Sequence, residues 1–382
     1  MGLPKSGTTF LQALLAKNRG RLKENGFIYP FIRRECMFHA AVELRQQYDR
    51  WGLPPERIDG TWDQLLDRVR AFGGDGIISH EVLAGASADH VARVARDTSD
   101  LELHVVVTAR DLARQVAAYW QETVKNGRRS SFDDFWHSLT DSAESTHEEA
   151  GFWRSQDLAS VLRRWGAGLP PEQLHVVVVP QPGADRFELW RRFADALGLD
   201  PGALDLELET QANESLGAAQ VALLRQVLTS LDGRLGQPHY AHVVKRFFAQ
   251  NLLSRIESPR AVTPPELRED LAVSARRWSE EIETHGYQVH GRLDELLPAE
   301  RSGGSDRHPD DVSCEDMYQH VPDVLAEMLI EIATLRTQIK GPRALPPLAA
   351  GSAEATGPEP ATAAEPAPVE PTPPVEPGAL LP

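Results

Sequence analysis

The sequence predicts an α/β fold of three layers, a central parallel sheet with helices on both faces, followed by a C-terminal helix and a disordered tail. Two continuous β-branched runs, at 103–108 and 174–179, have the character of strands buried on both faces. Each is flanked by apolar residues at helical spacing, and such strand–helix alternation builds parallel sheets under two helical layers. A glycine-bearing turn at the amino end opens directly onto another periodic run, Phe10, Leu11, Leu14 and Leu15.

Residues 1–298 suffice for one large α/β core. Residues 299–311 read as a Gly/Ser/Asp linker. In 312–340, Val321, Leu325, Met328, Ile332, Leu335 and Ile339 are spaced 4, 3, 4, 3 and 4 apart, a short heptad seam that either pairs with a second copy or folds back. The last stretch, 341–382, holds 12 of the 28 prolines and lacks the apolar residues to bury a core.

Composition narrows the partners. A net charge of −16 argues against general nucleic-acid or anionic-membrane binding, so any anion must be met by a local cationic site. Cys36 and Cys314 are far apart and have no partners at metal spacing, so neither disulfide nor metal is expected. No run reaches the length of a membrane span and no signal peptide is visible, which points to the cytoplasm.

The opening residues hold the strongest chemical signal. A turn that opens onto a helix aims free N–H groups at one spot, and the helix dipole makes that spot electropositive. Pro4 shapes the turn, Lys5 adds a full charge, Ser6, Thr8 and Thr9 add hydroxyls, and Gly7 permits close approach of an anion. The plainer alternative is a turn capped by Ser6, Thr8 or Thr9. A nucleoside-triphosphate loop would carry lysine directly after its second glycine, whereas here Lys5 precedes Gly7.

That order, from Gly2 through Pro4-Lys5-Ser6-Gly7-Thr8-Thr9 to Leu11-Gln12, resembles the 5′-phosphosulfate loop of sulfotransferases that use 3′-phosphoadenosine 5′-phosphosulfate (PAPS). The resemblance covers residues 1–298 and implies a P-loop-like fold, PAPS as donor, and a small metabolite, lipid or carbohydrate as acceptor. Phosphate loops of this type follow a buried strand, and Met1 stands where that strand should end, so the reading expects a truncated first strand and a true start upstream.

Further along, Asn25-Gly26 ends the first helical region, and Phe27-Ile28-Tyr29-Pro30 reads as a short strand. In the resembled family the next stretch often faces the acceptor, which brings Glu35, His39 and Glu43 forward. An interior histidine would account for His39 equally well. A helix at 62–72 ends at Gly73-Gly74 and leads to a strand at 76–79. His80 and Glu81 follow at its carboxyl end, where open α/β sheets place their chemistry. Either could remove the acceptor's proton. Ile78-Ser79-His80 is similar to the Lys-Thr-His run of cytosolic members, without its lysine.

The strand at 103–108 delivers Ala109-Arg110-Asp111 to a helix with Leu112, Val116, Tyr119 and Trp120 on one face. Arg110 resembles the family's 3′-phosphate arginine, while Ala118 stands where a serine is expected; Arg114, one turn on, is the expected substitute. A salt bridge from Arg110 to its neighbour is the alternative. Lys125, Arg128 and Arg129 belong either to the acceptor mouth or to a solvated face. The family's late Arg-Lys-Gly loop has no match, and Lys245-Arg246-Phe247 is its nearest candidate. Helices are expected at 189–197, at 217–231 and at 267–286, with residues 287–297 closing the domain. Two rival functions stand beside the transferase: a P-loop kinase or NTPase using Asp111, and a catalytically degraded nucleotide-binding interaction protein.

Overall fold

The structure, a computed structural model, describes residues 1–144, 151–208, 215–236, 239–299 and 307–340. The expected disorder of the tail at 341–382 therefore falls outside the described residues. Two small parallel sheets are present. Strands β1 (Phe27–Ile28) and β2 (Asp75–Gly76) pair with each other, and β3 (Val105–Ala109), β4 (Leu174–Val178) and β5 (Gln288–His290) form the second sheet in that order.

The β-branched runs become β3 and β4 as their composition requires, with Val107, Val176 and Val177 fully buried. Residues 1–3 extend the edge of β3. The Leu3 amide donates to the Thr108 carbonyl at 2.9 Å and the Thr108 amide to the Met1 carbonyl at 3.2 Å. Gly2 bridges Thr108 in parallel register. A Cβ at Gly2 would fall on the Thr108 hydroxyl and the Thr8 methyl, so glycine is required there.

Two expectations are corrected. The single central sheet is two separate ladders. The strand at 76–79 is limited to Asp75–Gly76, with only the Ile77 amide continuing the pairing to the Ile28 carbonyl at 2.8 Å. Residues 287–297 contain β5, whose short polar sequence Gln-Val-His gives little apolar signal.

Helices Leu158–Trp165 and Glu188–Leu197 pack on the larger sheet. The expected helices are present as Thr61–Phe72, Leu112–Lys125, Ala218–Leu231 and Arg268–His285, and Gly73 and Gly286 end theirs at positive φ as the sequence indicated. The chain divides into the units Met1–Glu327 and Met328–Pro382. Within the first, Asp310 accepts the amides of Phe132 and Asp133, both at 3.0 Å, and pairs with Arg225 at 3.0 Å. Helix Val321–Lys340 runs across the division. Among the described residues, no helix is long and apolar enough to cross a membrane.

Candidate functional site

The loop is built from the sheet edge outward. Leu3 to Ser6 make a β-turn closed by the Ser6 amide on the Leu3 carbonyl at 3.1 Å, with Pro4 at its second position and Lys5 at its third, at φ 71°. A lysine at positive φ is costly, and such strain collects where a backbone must be held in one shape. Two buried amide side chains fix the turn: Gln115 and Gln156 each donate to the Pro4 carbonyl at 3.1 Å.

Gly7, at φ 83°, then starts helix Thr8–Lys17 without a side-chain cap. The N–H groups of Gly7, Thr8 and Thr9 donate to no protein acceptor among the described residues. Three free amides at a helix start are an anion-binding arrangement. The hydroxyls contribute less than the sequence suggested. Ser6 is fully buried, its Oγ 2.5 Å from the Leu3 carbonyl and 2.6 Å from Thr108 Oγ1, so it braces the loop from inside. Thr8 is buried and Thr9 exposed.

Lys5 extends to Glu122 on helix Leu112–Lys125, with Nζ 2.7 Å from Oε2. Lys245 takes the other oxygen at 2.8 Å, and Lys125 lies buried nearby. Burial pushes the Glu122 carboxyl up, but Lys5 and Lys245 outweigh it by charge and hydrogen bond and hold it at about 2. Burial pushes the Lys125 ammonium down.

Arg110 closes the other side of the loop, donating from Nη1 to the Lys5 carbonyl at 3.2 Å. Its Nε is buried without a partner, and burial, with Arg114 nearby, lowers the guanidinium to about 10. Asp111 does not pair with it. That carboxylate caps the helix by accepting the Arg114 amide at 3.0 Å and binds the Arg114 guanidinium. Arg114 also donates to the Pro180 carbonyl at 3.2 Å, so it is tied into the scaffold. The cation that reaches Arg110 from the late loop is Arg260, whose charge also depresses it. Thr263 anchors this loop, its hydroxyl donating to the Ala113 carbonyl at 2.7 Å. Lys245 and Arg246 stand on the π-helix Tyr240–Leu252, from which Lys245 reaches the Glu122 carboxylate that Lys5 also holds.

The proposed bases fare unequally. His80 Nδ1 accepts the Val82 amide at 3.2 Å, so the neutral ring carries its proton on Nε2 and has no lone pair to offer there. Burial pushes its pKa down. His39 Nδ1 faces Arg33 Nε at 3.5 Å with the same consequence, and burial and Arg33 lower it. Glu43 is a buried cap that accepts the amides of Gly60 and Trp62, both at 3.0 Å. Glu81 stays half-exposed, with Oε2 3.4 Å from Gln12 Nε2 on the loop's own helix.

Among the described residues one group has metal-ligand chemistry, Asp133, His308 and Asp310. Its carboxylates already serve the amides of Phe132 and Asp133, Arg225 and His308, as expected of a helix cap.

The sequence missed Gln115, Gln156, Glu122 and Arg260. Gln115 and Glu122 had a faint signal as polar residues on a helix that packs into the core. The chain matches no family model, no curated protein and no solved structure.

Proposed function

We propose that this chain is a PAPS-dependent sulfotransferase built on a three-layer, P-loop-like α/β domain. The observation that carries the reading is the joining of two cationic features by one contact. The loop with three free amides and Lys5 touches, through the Lys5 carbonyl, an arginine whose buried Nε has no partner. Two anionic groups on one small molecule suit that pair, and a 3′-phosphorylated nucleotide with a 5′-phosphosulfate has them. Its chemistry is the supply of a sulfuryl group.

The amides of Gly7, Thr8 and Thr9 and the Lys5 ammonium would hold the 5′ end and stabilise charge on the leaving phosphate oxygen. Arg110 and Arg260 would hold the 3′-phosphate. As the bond between sulfur and the 5′-phosphate oxygen breaks and a bond from sulfur to the acceptor's oxygen or nitrogen forms, the acceptor's proton would pass to the Glu81 carboxylate. Lysine before the second glycine argues against the kinase reading, and Asp111, occupied by Arg114, is not free for Mg²⁺. The heptad seam on helix Val321–Lys340 would pair two copies, and two free cysteines suit a reducing cytoplasm.

Thermal shift and transfer from labelled PAPS test the assignment. Adenosine 3′,5′-bisphosphate should raise the melting temperature and ATP should not. Lys5→Ala should keep the fold, lose the shift and lower turnover about a hundredfold or more, as loss of such a donor does. Near-normal turnover in Lys5→Ala would refute the reading. Nucleotide binding without transfer to any acceptor would favour the degraded binding protein.

A further inference from the structure

A cavity of about 580 Å³ is lined by Arg33, Arg34, Arg57 and Arg246, with His39 and Glu35 beside them. Among the described residues, none of these four guanidinium groups has a carboxylate within 4.0 Å, in a chain that carries 56 acidic residues against 40 basic ones. Glu35, on the same wall, reaches none of them.

Arg33 is half-buried and Arg34, Arg57 and Arg246 are exposed, and among the described residues no carboxylate within 4.0 Å offsets their mutual repulsion. A neutral or apolar occupant would leave the repulsion in place and strip water from the cations besides. An anionic occupant removes it.

The wall is also held in shape before any ligand arrives. Arg33 donates to Thr61 Oγ1 at 2.6 Å and to the Arg57 carbonyl at 3.1 Å, which leaves its guanidinium little freedom. Glu35 sits at φ 63°, in the left-handed region that a non-glycine residue avoids, and from there begins helix Cys36–Leu44.

Two chains of contact join this cavity to the loop. Arg246 directly follows Lys245, which shares the Glu122 carboxylate with Lys5. On the other wall, the Phe38 ring adjoins His39 at 6.0 Å and His80 at 5.2 Å between centroids, and Glu81 and Gln12 come next. These links run from the cavity wall through Lys245 to the lysine of the loop, and through Phe38 and His80 to Glu81 and the loop's own helix.

We infer that this cavity receives the acceptor, and that the acceptor is a small hydroxyl or amine compound already bearing a carboxylate, phosphate or sulfate group. The inference rests on the sulfuryl-transfer reading for the word acceptor, but the anion site stands on the cavity alone. The volume suits a small molecule or a terminal sugar unit.

Calorimetric titration of the full chain with pyrophosphate, with adenosine 3′,5′-bisphosphate at saturation to fill the loop, tests the site. The wild type should bind pyrophosphate. Arg57→Gln/Arg246→Gln should weaken binding about tenfold or more, as loss of charge-assisted contacts does. Those two side chains make no hydrogen bond or ion pair among the described residues, so the fold should survive, and an unchanged melting temperature checks that. No binding in the wild type, or equal affinity in the variant, overturns the site.

Labelled PAPS incubated with a metabolite extract then tests the acceptor class. The labelled product should elute from an anion exchanger with at least two negative charges, whereas a singly charged product means a neutral acceptor and overturns it. Failure of the sulfuryl reading looks different: adenosine 3′,5′-bisphosphate does not bind and no product forms, while the pyrophosphate titration still decides the cavity.

Discussion

Glu122 organises the charges around the loop. It is a single carboxylate facing Lys5, Lys125 and Lys245, and it stays ionised against its own burial because two ammonium groups touch it. With the acid in place, Lys5 is held by a protein partner, and an incoming anion must compete for it. Glu122→Gln should therefore tighten adenosine 3′,5′-bisphosphate several-fold and steepen the loss of binding with salt, since more uncompensated charge then faces the ligand. The same change leaves three cations without their acid, so the free variant should melt lower than the wild type. Calorimetry at two salt concentrations and a melting curve check both effects; unchanged affinity together with an unchanged melting point would show that Glu122 does not govern the cluster. This residue was not legible in the sequence, because a glutamate on a helix has many surface roles. Pro4, Lys5 and Gly7 were legible because a tight turn tolerates few residues in that order. The inward turn of Ser6 was not, since a hydroxyl's direction depends on Thr108, more than a hundred residues away.

Across the larger sheet the informative element is a ladder of imidazoles. His104, His175 and His290 stand side by side on or next to β3, β4 and β5, with ring nitrogens 3.0 Å and 3.2 Å apart, and Glu102 and Asp195 at the two ends at 3.3 Å and 2.6 Å. Burial, then its two neighbouring rings, push the central His175 down to about 4. The unfolded chain accepts that proton below about 6.5. Folded His175 refuses it, so stability present above pH 6.5 is lost as the pH falls toward 4. Melting curves from pH 7.5 to 4.5 should show a steeper decline for the wild type than for His175→Gln; parallel declines would remove His175 as the cause. The strands that carry His104's neighbours and His175 were readable because β-branched runs are strong signals. Strand β5 was not, because three mostly polar residues gain their order from pairing with β4 and not from any pattern of their own. Helix ends at Gly73, Gly198 and Gly286 were readable for the opposite reason: each needs a positive φ, which is a local demand.

At the scale of the whole chain, helix Val321–Lys340 carries most of the exposed large apolar side chains among the described residues. Leu325, Ile332, Leu335 and Ile339 are all exposed, the last at 82%. A heptad seam of this length is marginal on its own, and under the proposed pairing it would draw on the same helix of a second copy. Two chains of net charge −16 repel at long range, while the apolar seam does not depend on charge. Salt should therefore strengthen the pairing, the reverse of its effect on nucleotide binding at the loop. Light scattering should give the wild type twice 42.3 kDa, with the dimer persisting to lower concentration as salt rises. Ile332→Glu/Leu335→Glu should give the monomer mass and retain adenosine 3′,5′-bisphosphate binding, because the loop and Arg110 are complete within one chain. A wild type that scatters as a monomer at roughly tens of micromolar would overturn the pairing of two copies.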